Sequence, residues 1–313
     1  MQQILSTSSF KTKILRVIAV IVTLALIAGG IWILSVMVRR DETVVHNEAF
    51  LSEKNDFDVV FLGSSHMLNA VLPMQLYKDY GIVSYNLAYH GASGKVSKNE
   101  LILANKYHDF KIAILDMYFV NRKDYQLPYL HEMYDNFPFS KTKLEVLDFL
   151  NEKEKMEMIF PFSLYHNRLL SEENIFLSFY DFNVKGYEKG AEYRPAVERN
   201  QYLRNPNDFR NTDYDESLYD EYKSVILEFV NYCNSNSILP VLVYIPPYSS
   251  IPIIKEANLV SKIADDLNVL FYGLGYENVI DTDTDLFNCF LKEIEIYQII
   301  CSLRIARAEK RYA

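Results

Sequence analysis

The chain has 313 residues, of which 50% are apolar and 23% are charged, so it can bury a sizeable core and is not a disordered chain. Its formal net charge of -9 argues against nucleic acid as a partner, because nucleic-acid-binding surfaces need an excess of basic side chains. The three cysteines, Cys233, Cys289 and Cys301, are too few for a disulfide framework and have no metal-ligand spacing. We therefore expect one soluble domain with no metal, no cofactor and no nucleic acid.

An uncharged apolar segment runs from Val17 to Val38 near the N-terminus. Its roughly 22 residues, as a helix rising about 1.5 Å per residue, match a bilayer core of about 30 Å. The alternative is a cleaved secretory signal, whose apolar part usually has only about 7 to 15 residues and ends at a small-x-small site. We predict a cytoplasmic tail at 1–13, a transmembrane anchor at 14–38 and a connector at 39–56. The slight excess of basic residues on the N-terminal side places the following domain outside the cytoplasm.

Short apolar segments alternate with helical patterns after the connector. Asp58–Leu62, Ile82–Leu87 and Lys111–Leu115 are rich in strand-forming residues, and Ser97 with Glu100 forms a capping-box pattern that predicts a helix start. Strands that alternate with helices and read as nearly continuous apolar runs are typical of a parallel sheet covered on both faces. The sequence therefore predicts an α/β fold with a doubly wound parallel sheet.

The same alternation returns late in the chain. Its segments are a helix with an apolar face from Leu218 to Val230, a strand at Ile238–Ile245, a helix at Lys255–Leu267 and a strand at Val269–Tyr272. Between about 117 and 217 the alternation is lost, which indicates an irregular or helical insertion. We therefore predict one α/β domain over 57–285 with this insertion, followed by a tail at 286–313.

The turn Gly63-Ser64-Ser65-His66 follows the first predicted strand, where open α/β sheets place their ligands. A serine held in a tight turn and facing unpaired backbone N–H groups is placed to attack an acyl carbon while those groups stabilise the oxyanion. Gly91, in the turn after the second strand, is a candidate for a second backbone donor. The alternatives are an ordinary polar turn and a plain loop glycine, because such short motifs also occur by chance.

Three segments together resemble the SGNH hydrolase superfamily: FLGSSH at 61–66, YNLAYHGAS at 85–93 and VLVYIPPY at 241–248. More narrowly, they look like its membrane-anchored branch, which is associated with acyl transfer to cell-envelope polysaccharides and teichoic acids. The resemblance implies a flavodoxin-like sheet, a polymer substrate and a membrane-embedded O-acyltransferase as a possible partner beside the bilayer.

The resemblance also implies roles for individual residues. Ser65 takes the position of the family's nucleophile, and the backbone N–H groups of Ser65 and Gly91 take those of the oxyanion donors. The family usually has an asparagine after the third strand, for which Asn121 is a poor match, so Asn121 and Asn86 are weak candidates for a further oxyanion donor.

The expected general base is missing from its usual place. This superfamily carries an Asp-x-x-His near the C-terminus, but the chain has no histidine after His166, although 281–285 resembles the approach to that block. Three possibilities stay open: a frameshift or truncation, a non-catalytic relative, or a substitute base from His66 or His90. The sequence thus predicts an acyl esterase or O-acetyltransferase impaired by this loss, with a catalytically silent glycan-binding or membrane-partner module as the alternative.

Overall fold

The structure is a computed structural model that describes residues 2–39, 49–118, 120, 125–135, 137–160, 187–192, 213–245 and 251–273. The helices and strands, in chain order, are α1 (Gln2–Arg39), β1 (Phe57–Leu62), α2 (Ser65–Ala70), α3 (Pro73–Tyr80), β2 (Ser84–Asn86), α4 (Gly94–Ala104), β3 (Phe110–Asp116), α5 (Leu127–Tyr134), α6 (Lys141–Val146), α7 (Glu152–Ile159), β4 (Tyr187–Glu188), β5 (Ala191–Glu192), a 3-10 turn (Glu216–Leu218), α8 (Tyr219–Ser235), β6 (Leu239–Tyr244), α9 (Ile251–Leu267) and β7 (Leu270–Gly273). They fall into two compact units, of which the first contains α1 and α7.

The long helix α1 dominates the first unit. Its segment Phe10–Leu34 has 25 residues and a mean hydropathy of 2.8, and it is long and apolar enough to cross a membrane. Large apolar side chains along it are exposed, including Leu26 at 72% and Trp32 at 67%, which suits a helix surrounded by lipid rather than by water. The predicted helix of spanning length is therefore confirmed, whereas the limits of the predicted tail and anchor remain predictions.

A five-stranded parallel sheet forms the centre of the second unit. The strand order is β2-β1-β3-β6-β7, and Val59 of β1 pairs with Ser84 on one side and with Ile112 on the other. After β1 the chain adds β2 on one side of β1, and β3 then lies on the other side of β1. The later strands β6 and β7 continue beyond β3, so the connections after β1 and after β3 lead in opposite directions along the sheet. The parallel sheet confirms the predicted α/β class.

The sheet strands occupy the segments predicted from their apolar runs, with ends shifted by one or a few residues. The strand β1 shows the reason, since Val59, Val60, Phe61 and Leu62 are all completely buried. Successive residues of a strand point to opposite faces, so a strand buried on every residue is covered on both faces and carries no polar alternation.

The helix after β2 begins earlier than the sequence predicts. Ser93 is the N-cap of α4, and its hydroxyl accepts a hydrogen bond from the N–H of Val96 at 3.4 Å. Ser97 and Glu100, the predicted capping box, both lie within α4 and are completely buried. The prediction of a helix start at Ser97 is wrong because the loop before it supplies an earlier cap of the same residue type.

The region predicted as an insertion contains regular structure in its described parts: the helices α5, α6 and α7, and the hairpin β4-β5. The hairpin turn uses Lys189 and Gly190, both with positive φ, as two-residue hairpins require. The Lys189 carbonyl accepts the N–H of Asn86 at 2.9 Å, and its ammonium pairs with Glu53. The hairpin thus covers part of the open edge of β2.

Candidate functional site

Ser65 is the first residue of α2 and lies just beyond the carboxyl end of β1, as predicted. It is half-buried, whereas Ser64 is completely buried and accepts the N–H of His66 through its hydroxyl at 3.4 Å. The carbonyl of Ser65 accepts a hydrogen bond from the side-chain amide of Asn69 at 2.6 Å. Of the two serines, Ser64 therefore caps α2 and Ser65 is the one that is partly exposed.

Gly63 makes this turn sterically tight. Its φ is +143°, and a Cβ atom at this position would lie 2.7 Å from the Cβ of Asp116. Its carbonyl also accepts the N–H of Tyr89 at 3.0 Å, which ties the turn to the loop after β2. Only glycine fits such a conformation and such a close approach, so the position of Ser65 depends on Gly63.

Asp116 ends β3 beneath this turn and is 1% exposed. One carboxyl oxygen, Oδ1, accepts the backbone N–H groups of Tyr118 and Ile245, each at 3.3 Å. Burial raises the pKa of this carboxyl to about 8, so it is mainly protonated at neutral pH. The sequence analysis missed Asp116, although an acidic residue that ends an apolar strand at this edge of a sheet was a usable signal.

His66 lies next to Ser65 and stacks on Tyr118, with ring centroids 3.9 Å apart and an interplanar angle of 19°. Burial lowers the pKa of His66 to about 4, so its imidazole is neutral at physiological pH. A base of such low pKa drives proton removal weakly near pH 7, because general bases work best when their pKa is close to the working pH. The role of His66 as a substitute base stays a prediction.

Gly91 and His90 lie in the loop that follows β2. Gly91 has a φ of +68°, and the N–H groups of Leu87 and Tyr89 in the same loop bind the carbonyls of Phe61 and Gly63. These bonds place the loop alongside the Ser65 turn. The ring of His90 lies 6.3 Å from that of Tyr129, in a tilted contact. The donor role of Gly91 and the basic role of His90 stay predictions.

The Asn86 side chain is completely buried at the end of β2. Its amide nitrogen donates to the carbonyls of Met67 and Val71 at 3.0 and 3.2 Å, and its oxygen accepts the N–H of Ala88 at 3.0 Å. The amide therefore holds the C-terminal end of α2, and the role of Asn86 as an oxyanion donor stays a prediction. Asn121, the other weak candidate, lies outside the described residues.

The structure also reveals a histidine–carboxylate pair that the sequence analysis did not single out. The Nδ1 atom of His131 lies 2.8 and 2.9 Å from the two carboxyl oxygens of Asp135, one helical turn later. Such a contact can orient a catalytic imidazole, but His131 is completely buried. In the described part of the chain, no three His, Cys, Asp or Glu residues form a group that could hold a metal ion.

No protein-family model matches the chain, and no curated protein matches it. The functional argument therefore depends on the residues and the geometry at the carboxyl end of the sheet.

Proposed function

We propose that the chain is a membrane-anchored, SGNH-like acyl esterase or O-acetyltransferase with Ser65 as its nucleophile. The observation that carries this proposal is the place of Ser65, half-buried at the carboxyl end of β1, where the strand order reverses. Ligands of open α/β sheets bind at such a reversal because the connections diverge there and leave a crevice.

The sheet topology supports the family resemblance. Counted within the sheet alone, the strand order is 2-1-3-4-5, the order of flavodoxin-like folds. Right-handed crossovers on either side of β1 would place helices on opposite faces, which gives a doubly wound domain. The segments that carry the resemblance then converge at the ends of β1, β2 and β6.

In this proposal the Ser65 hydroxyl attacks the carbonyl carbon of an acyl group and loses its proton to a base. The backbone N–H groups of Ser65 and Gly91 would bind the oxyanion. A hydroxyl group of a cell-envelope polysaccharide or teichoic acid would then accept the acyl group in a transferase, and water in an esterase. A membrane-embedded O-acyltransferase would supply the acyl group, and α1 would hold the domain beside it on the outer face of the membrane.

A fluorophosphonate probe tests this proposal directly, because it forms a covalent bond with activated serines. We expect the full-length chain in detergent to be labelled on Ser65, and Ser65→Ala to abolish the labelling. Ser64→Ala is the matched control, since it removes the neighbouring hydroxyl, weakens the cap by about 1 kcal/mol and leaves Ser65 in place. Absence of labelling on the parent chain, or labelling that survives Ser65→Ala, would contradict the proposal.

One observation favours a second candidate, a catalytically silent module that binds glycan or a membrane partner. The histidine–carboxylate pair seen among the described residues, His131 with Asp135, is completely buried and so is closed to a substrate. A serine without a base is a weak nucleophile. This candidate predicts retention of the intact chain on a polysaccharide column with no probe labelling.

A further inference from the structure

We infer that Asp116 is the positioning residue of the Ser65 turn and that it works as a neutral carboxylic acid. This inference deepens the proposed function of Ser65 and rests on it for its effect on reactivity. Its structural part, the hold of Asp116 on the turn, depends only on the contacts around this side chain.

Asp116 joins three segments at the carboxyl end of the sheet. Its Oδ1 atom accepts the N–H of Ile245 after β6 and that of Tyr118 after β3, both at 3.3 Å. A Cβ atom on Gly63 would lie 2.7 Å from the Cβ atom of Asp116, so the Gly63 backbone packs closely against this residue. Asp116 therefore supports the serine turn through its Cβ atom, and its carboxyl group ties together the segments after β3 and β6.

The second oxygen, Oδ2, is buried and has no hydrogen-bond partner among the residues that the structure describes. An ionised carboxylate in this place would be a buried charge that its backbone hydrogen bonds offset only in part, which is costly in a protein interior. The neutral acid avoids most of this cost, and burial accordingly raises the pKa of Asp116 to about 8.

Two other titratable groups lie at this end of the sheet: Glu256, which also raises the pKa of Asp116, and His66, which is neutral at physiological pH. Glu256 of α9 accepts hydrogen bonds from Tyr222 and Tyr244 at 2.7 and 3.0 Å, and its negative charge also raises the pKa of Asp116. His66 is neutral above about pH 4 and contacts the ring of Tyr118. The backbone N–H groups of Tyr118 and Ile245 lower the pKa of Asp116, since hydrogen bonds to a carboxylate favour its ionised form, but the effect of burial is larger.

Ionisation of Asp116 would therefore disturb the turn that carries Ser65. The new charge would repel Glu256, and Tyr118, whose N–H binds Asp116, packs against His66 beside the serine. Reactivity should then fall as pH rises through about 8. A serine activated by an ordinary histidine shows the opposite trend, since its base becomes more effective as it loses its proton.

The test measures the rate of fluorophosphonate labelling of the full-length chain against pH. For the parent chain we expect roughly a tenfold fall between about pH 7 and about pH 9, the factor by which the neutral acid is depleted. Asp116→Asn keeps an oxygen acceptor and cannot ionise, so its rate should show no such fall. Glu256→Gln is the matched control, which should keep the fall but move it to lower pH. An unchanged fall in Asp116→Asn would overturn the inference.

A second measurement separates this inference from the proposed function. Hydrogen exchange of the peptide that spans 63–66 is compared between the parent chain and Asp116→Asn at the same pH. We expect equal protection at pH 6 and faster exchange of the parent chain alone at pH 9. Equal protection at both pH values would overturn the inference even if Ser65 is labelled. If no probe reacts, the proposed function fails, but the exchange difference still decides the role of Asp116.

Discussion

Two buried polar sites of the second unit, the pair of His131 with Asp135 and the single residue Asp116, differ in their hydrogen-bond partners. His131 and Asp135 lie within hydrogen-bond distance of each other, and Lys143 adds a donor to the Asp135 carbonyl at 3.5 Å. The Oδ1 atom of Asp116 instead binds backbone N–H groups, and its Oδ2 atom has no partner among the described residues. The first group is a pair of side chains that bind each other one helical turn apart, whereas Asp116 packs against the strained turn at Gly63, and strained backbone is typical of functional sites.

Glu100 is a second buried carboxyl group of this unit, but it lies in a different place. Both of its carboxyl oxygens are buried without a partner in the part of the chain that the structure describes, and burial raises its pKa well above the usual range. Yet Glu100 lies in the middle of α4 and not at the carboxyl end of a strand. An unpaired buried carboxyl is therefore informative at Asp116 because of its place under Gly63, and not because of its burial alone.

The largest effect should come from breaking the pair of His131 with Asp135. Asp135→Ala leaves the His131 ring buried without its carboxylate, so we expect a loss of roughly 3 to 5 kcal/mol in the free energy of unfolding. Urea denaturation of the chain measures it. The matched control is Glu145→Ala, which breaks the exposed pair Lys141–Glu145 at the same spacing and should have little effect, as surface pairs do. Similar losses in both variants would show that burial does not strengthen the contact between His131 and Asp135.

A smaller loss in the free energy of unfolding is expected at Gly63, whose backbone packs closely against Asp116. Gly63→Ala introduces a Cβ atom 2.7 Å from that of Asp116 at a φ of +143°, so we expect a loss of roughly 3 kcal/mol and loss of probe labelling at Ser65. Gly81→Ala is the control, because Gly81 has a φ of +67° but open space around it, and should cost about 1 kcal/mol with labelling intact. Equal effects of the two variants would show that the contact with Asp116 adds nothing to the backbone conformation.

The sheet could be predicted from the sequence because its central strands are buried on most residues, such as Val59 to Leu62 of β1, and short apolar runs bounded by turn residues are typical of such strands. The place of Ser65 followed from the end of that run. Asp116 could be recognised only as an acidic residue at a strand end, and the pair of His131 with Asp135 not at all, because their contacts, such as that of Asp116 with Ile245, come from the folded neighbourhood. An isolated aspartate in a sequence does not reveal whether its oxygens will find partners.

The smallest expected effect is at the start of α4, where a hydrogen-bonded serine hydroxyl, that of Ser93, can be compared with a buried one that has no partner among the described residues, that of Ser97. The hydroxyl of Ser93 serves as a cap, so Ser93→Ala should lower the free energy of unfolding by about 1 kcal/mol. The hydroxyl of Ser97 is buried without a partner among the described residues, so Ser97→Ala should be neutral or slightly stabilising. Thermal unfolding of the two variants in parallel compares them. A greater loss from Ser97→Ala would support Ser97 as the helix cap predicted from the sequence. It would also show that a buried hydroxyl without a described partner does not destabilise this fold.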